Sequence, residues 1–94
     1  MAIVHVVESR GDADFTIFDV GSRAAADLMV CKVDSRGDAL RDDQFWCFVD
    51  SRADASSNVY LNDGRAGTDL LICYVESRGD AGWRNNDHPL KGKL

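Results

Sequence analysis

The sequence predicts an all-β fold of six strand–turn repeats of about 13 residues, forming an antiparallel meander or a small closed barrel. Three observations carry this. A motif recurs as VESRGDAD from Val7, VGSRAAAD from Val20, VDSRGDAL from Val33, VDSRADAS from Val49 and VESRGDAG from Val75, with a degenerate copy, NDGRAGTD, from Asn62. β-Branched and aromatic residues precede each motif, whereas Gly and Asp fill it, so strand chemistry alternates with turn chemistry. The charged set is 14 Asp against 2 Glu and 8 Arg against 3 Lys, a balance that suits turns and disfavours helical surfaces.

The elements follow in order. The first strand centres on Val4 and His5, and its turn runs from Ser9 to Asp14. Ile17 and Phe18 mark the second. Ala24–Met29 would be helical on propensity alone, but the equivalent residues of other copies contain Gly and Asp, so the repeat overrules it. Val30 and Cys31 mark the third strand, after which three extra residues around Leu40–Asp42 form an inserted loop that costs little. Trp46 and Cys47, Val59 and Tyr60, and Ile72 and Cys73 mark the remaining three. Val4, Ile17, Val30, Trp46, Val59 and Ile72 form one wholly apolar column, the candidate core. Residues 1–82 thus read as one six-repeat β domain, and residues 83–94 as a C-terminal tail that packs on it. The tail carries a net +2 against −7 for residues 1–83, so the two are electrostatically complementary.

A compact β-solenoid is the alternative. Thirteen residues span a perimeter of roughly 43 Å, and corners would leave short faces with little room for Phe15, Phe18, Phe45 and Trp46. The meander or barrel is favoured. Both strand faces carry apolar residues, which points to a second subunit against one of them and hence to a homo-oligomer.

The repeats, with the tail Gly82-Trp83-Arg84-Asn85-Asn86-Asp87-His88-Pro89-Leu90, resemble a family of short bacterial proteins of unknown function. Its members carry about six tandem V-x-x-x-x-x-A-D units and a G-W-R-N-type tail. Ser9, Ser22, Ser35, Ser51 and Ser77 stand where the family pattern has an aromatic residue. The resemblance implies a bacterial, cytoplasmic protein and brings no activity with it.

A net charge of −5 disfavours nucleic acid, where a basic stripe is the expected footprint. No apolar run is long enough to span a membrane, and no secretory signal pattern opens the chain, so reduced thiols and a cytoplasmic location are expected. Arg10, Arg23, Arg36, Arg52, Arg65 and Arg78 occur once per repeat and are the candidate binding residues, because guanidinium groups clamp carboxylates and phosphates. In a meander they would divide between two ends; in a solenoid they would form one ladder. Asp12, Asp38, Asp54 and Asp80 follow four of them by two residues, so turn-stabilising ion pairs compete with ligand binding. Cys31, Cys47 and Cys73 share a column with His5, a ligand set that zinc accepts, although Phe18 and Tyr60 in the same column mark it as a packing position. In a closed barrel, Cys73 and His5 would lie on the strands that meet.

No nucleophile motif or phosphate loop is present, so no catalytic residue, metal site or cofactor is assigned and an enzyme is not expected. The leading expectation is a non-enzymatic, self-associating binding or protein-interaction module for a protein or a small anionic ligand. A metal- or thiol-dependent protein using His5 and the cysteines, and a structural assembly unit, are the alternatives.

Overall fold

Segments such as Ile3–Val7 and Leu70–Val75 place apolar residues on both strand faces, and parallel strands covered on both sides read this way. The computed structural model describes residues 2–40 and 42–94. Among these it shows strands β1 (Ile3–Val7), β2 (Phe15–Asp19), β3 (Leu28–Lys32), β4 (Phe45–Phe48), β5 (Ser57–Leu61), β6 (Leu70–Val75) and β7 (Gly82–Trp83). The sheet order is β4-β1-β5-β2-β6-β3-β7, and β4 also pairs with β3, so the first six strands close into a barrel. All pairings among those six are parallel; only β7 runs antiparallel, against the start of β3.

The antiparallel meander is therefore corrected, and the solenoid with it. In both of those, consecutive strands are neighbours. Here β5 lies between β1 and β2, and β6 between β2 and β3. Taken round as β1, β5, β2, β6, β3, β7, β4, every strand stands two places beyond its predecessor in the chain.

Parallel crossovers ordinarily need a dozen or more residues, yet only Glu8–Asp14 separates β1 from β2. The steep slant of the strands makes this feasible. Val6 pairs with Val59 and Val59 with Phe15, whereas the repeat equivalent of Val6 is Asp19, so the next strand is set back four residues. That shortens the return by about 13 Å.

Five of the six crossovers contain one tight helical turn: Arg10–Asp12, Arg23–Ala25, Arg52–Asp54 and Arg78–Asp80 are 3₁₀ turns, and Arg36–Ala39 forms the short helix α1, whereas the crossover from β5 to β6 has none. The serine column starts these turns. Ser9 Oγ accepts from the Gly11 N–H (3.3 Å) and Ser35 Oγ from the Gly37 N–H (3.2 Å), satisfying donors that a turn start leaves open. The inserted loop begins after α1, and its residue 41 lies outside the described residues.

A second column braces the strand starts. The Asp14 N–H donates to Asn58 O (2.7 Å) while its carboxylate accepts from the Asn58 N–H (2.8 Å). Asp27 does the same with Leu71, and Ser56 with Ile3. Asp69 exchanges the equivalent pair with Thr16, whose N–H meets the carboxylate and whose Oγ1 accepts from the Asp69 N–H.

The predicted core column lines the barrel interior: Val4, Ile17, Val30, Trp46, Val59 and Ile72 are each at most 1% exposed. The alternate column faces outward, but the chain's own crossovers cover much of it, leaving Val7, Val33, Val75 and the three cysteines buried. Much of the face that suggested a second subunit is thus covered from within. Below the core column lie Ala2, Phe15, Leu28, Ser57 and Leu70, and the tail closes over them. Leu94 is buried among them, Leu90 and Trp83 pack on the same cluster, and Ser56 and Ser57 hydroxyls donate to Leu94 O (3.0 and 3.3 Å). Asp43, buried at the start of β4, accepts from Trp83 Nε1 (3.1 Å) and from the Gly92 N–H, pinning the tail at two points.

Candidate functional site

The six repeated arginines leave the barrel from the same end, because every strand that precedes them runs the same way. They do not divide between two ends as the meander required, nor do they pair within their own turns. Arg36 reaches Asp54 (3.4 Å), Arg52 reaches Asp12 (carbonyl at 3.0 Å, carboxylate at 3.9 Å), Arg23 reaches Asp80 (3.3 Å) and Arg78 reaches Asp38 (2.8 Å). Arg10 donates to the Asn62 side chain. Each partner belongs to the crossover of the adjoining strand, so the links follow the barrel from β3 to β4, β1 and β5, then from β2 to β6 and back to β3. One link is absent. Arg65, after β5, would meet the crossover after β2, where Ala25 occupies the place of the aspartate, and Arg65 has no ion pair among the described residues.

The arginines also cover outward-facing rings: the Arg10 guanidinium lies 5.6 Å from the Tyr60 centroid and that of Arg78 5.7 Å from Phe45. The hydrogen-bonded Asp38 carboxylate raises the Arg78 pKa further above its ordinary value. All these pairs are exposed, where solvent screening leaves an ion pair little net worth.

The thiol column does not converge. Cys73, Cys31 and Cys47 lie on β6, β3 and β4, which are neighbours, but in staggered register: Cys73 pairs with Met29 and Cys31 with Phe45. All three are buried and unbridged. His5 lies on β1, which neighbours β4 and β5 and does not meet β6, so the expected meeting of His5 with Cys73 is corrected. Its Nδ1 lies 3.1 Å from Val49 O. Among the described residues no group of three or more His, Cys, Asp or Glu side chains is placed to hold a metal ion.

The parallel arrangement assembles a site that the repeat columns conceal. All six barrel strands end at one mouth, and strand alternation turns the residue two beyond each core position toward it: Val6, Leu61, Asp19, Tyr74, Lys32 and Phe48, in order round the barrel. The carboxyl ends of parallel strands are where α/β folds habitually place ligands. Three of these six are exposed apolar residues on adjoining strands, Val6 at 38%, Phe48 at 38% and Leu61 at 51%. The opposite half is polar. Lys32 Nζ lies 4.3 Å from the Tyr74 ring centroid and 5.4 Å from that of Phe48. Burial, and secondarily the Asp19 carboxylate, push the Tyr74 phenol up to about 12. A pocket of about 460 Å³ opens beside them, lined by Cys31, Lys32, Tyr74, Val75 and Glu76.

No helix among the described residues is long and apolar enough to cross a membrane. A family model described as the 7(1) septoil knot domain matches residues 1–84. No curated protein and no solved structure matches the chain. The matched span reaches through β7, the strand that occupies the seventh place of the two-step path.

Proposed function

The chain belongs to the 7(1) septoil knot domain family, a family of small repeat-type domains, and from that premise we propose that it is a non-enzymatic protein-interaction module whose contact surface is the open mouth of the barrel. One observation carries this: among the described residues, three of the four large apolar ones left exposed, Val6, Phe48 and Leu61, share the end that the tail does not cover. The remaining rim, with Lys32, Tyr74 and Asp19, supplies polar groups around them, the arrangement of an interface core and its border. Three buried free cysteines suit a reducing compartment, so a cytoplasmic location belongs to the same proposal, as does the bacterial origin implied by the repeats and tail. A photo-crosslinking side chain at position 48 or 61 should capture one defined partner in cells, and the same group at position 87 should not. A product of twice 10.3 kDa would make that partner a second copy. Capture from position 87 but not from 48 or 61 would refute the mouth as the contact surface.

A second reading concerns the arginines. Arg10, Arg23, Arg36, Arg52 and Arg78 are engaged by their own chain, and the gap between Arg65 and Ala25 favours Arg65 as the place for a small anion. Acetate or phosphate should shift the Arg65 side-chain NMR signal in the native protein and leave it unmoved in Ala25→Asp. Equal shifts in both would end this reading.

A further inference from the structure

Two repeated sets of acidic residues in this chain meet different fates. Those in the crossovers, Asp12, Asp38, Asp54 and Asp80, are each engaged by an arginine. Those at the strand exits are not. Glu8, Asp34, Asp50, Asp63 and Glu76 occupy the position two beyond the mouth residue in five of six repeats, all are exposed, and none makes an ion pair with a described residue. The sixth place is Gly21, whose φ of +68° an acidic side chain would adopt only with strain. Five carboxylates therefore ring the mouth, with Asp19 inside it. The cation contributed there, Lys32, lies against the Tyr74 and Phe48 rings, so these aromatic faces already accept an ammonium group.

We propose that the occupant of the mouth is a cationic, apolar polypeptide segment, with apolar side chains seated on Val6, Phe48 and Leu61 and Lys or Arg side chains facing the carboxylate ring. This rests on the mouth being the contact surface and names the partner's chemistry. Unpaired carboxylates around a patch of low polarity repel one another and focus a negative field outward, and a basic partner relieves the first while exploiting the second. A second copy docked mouth to mouth would set one ring of carboxylates against another, a costly juxtaposition.

The test uses the full chain and three probe peptides: an alternating Lys/Leu sequence, its Glu/Leu counterpart and a Lys/Ser sequence. Lys/Leu should shift the amide signals of Val6, Phe48, Leu61 and Tyr74, and bind at least about tenfold tighter than either of the others. Its affinity should fall about tenfold between about 50 mM and about 500 mM salt. Glu8→Gln with Glu76→Gln should weaken it several-fold, whereas Asp42→Asn with Asp87→Asn, an equal change in charge at the tail-covered end, should not. Equal weakening by the two double variants would reduce the effect to net charge and overturn the proposal. Tight binding of Glu/Leu at the same signals would overturn the partner's chemistry and leave the mouth as a contact surface. No shift at the mouth with any peptide would also overturn the inference, while crosslinking from positions 48 and 61 judges the surface separately.

Discussion

The two ends of the barrel are built from the same repeats, yet one is closed and the other open. At the strand starts, Ala2, Phe15, Leu28, Ser57 and Leu70 are buried because Leu90, Leu94 and Trp83 lie over them. At the strand ends, Val6, Phe48 and Leu61 stand exposed, with no equivalent cover. The difference does not come from the repeat, which treats each strand alike. It comes from the last dozen residues, which spend their apolar side chains on one end only. The tail buries apolar side chains at one end, and the opposite end keeps its own exposed.

The comparison is broken most directly by removing residues 84–94. Full burial of a leucine is worth about 1.5–3 kcal/mol, so losing Leu94 together with Leu90 should cost about 3 kcal/mol or more in urea unfolding. Leu61→Ala at the open mouth should cost under about 1 kcal/mol, since its side chain is already half exposed. Similar costs would mean that the ends do not differ energetically.

The polar half of the mouth is sharpened by titration. The Tyr74 phenol should ionise near 12 in absorbance at the phenolate band, and Asp19→Asn should lower that value by removing the secondary cause. Because the native pKa is raised, the native state holds its proton more tightly than the unfolded chain does. The contribution to stability is full below about 10 and is lost as pH rises through about 12. No change in Asp19→Asn would show that the two groups do not face each other.

The smallest effect tests the ring of links outside the barrel. Ala25→Asp supplies the acceptor that Arg65 lacks, and should stabilise the protein by up to about 1 kcal/mol, a gain that high salt removes. Unchanged stability at low salt would show that the sixth link does not form.

How much of this was legible in the sequence depended on whether a property recurred in every copy. The interior column, Val4 to Ile72, was legible because every position is apolar and the copies align. The arginine column was equally visible, but its partners were not, since the crossover adjoining each one in space is not the next in sequence. Strand direction was misread although its signal was present: apolar residues on both faces belong to a covered parallel sheet, and only the brevity of the crossovers argued otherwise. The strand-start braces at Asp14, Asp27 and Asp69 could have been found from the persistence of that aspartate after Ala or Thr. The mouth could not. Val6, Asp19, Lys32, Phe48, Leu61 and Tyr74 share no chemistry, and only the barrel gathers them.

The two-place step has a consequence for the protein's birth. A chain emerging from the ribosome presents β1 to β4 first, and of these only β3 with β4 and β4 with β1 are neighbours. β2 has no strand to pair with until Ser57–Leu61 has been made, and lacks its second neighbour until Leu70–Val75 follows. β2, apolar on both faces, must therefore wait for a later strand to slot beside it, so synthesis and assembly run on separate clocks.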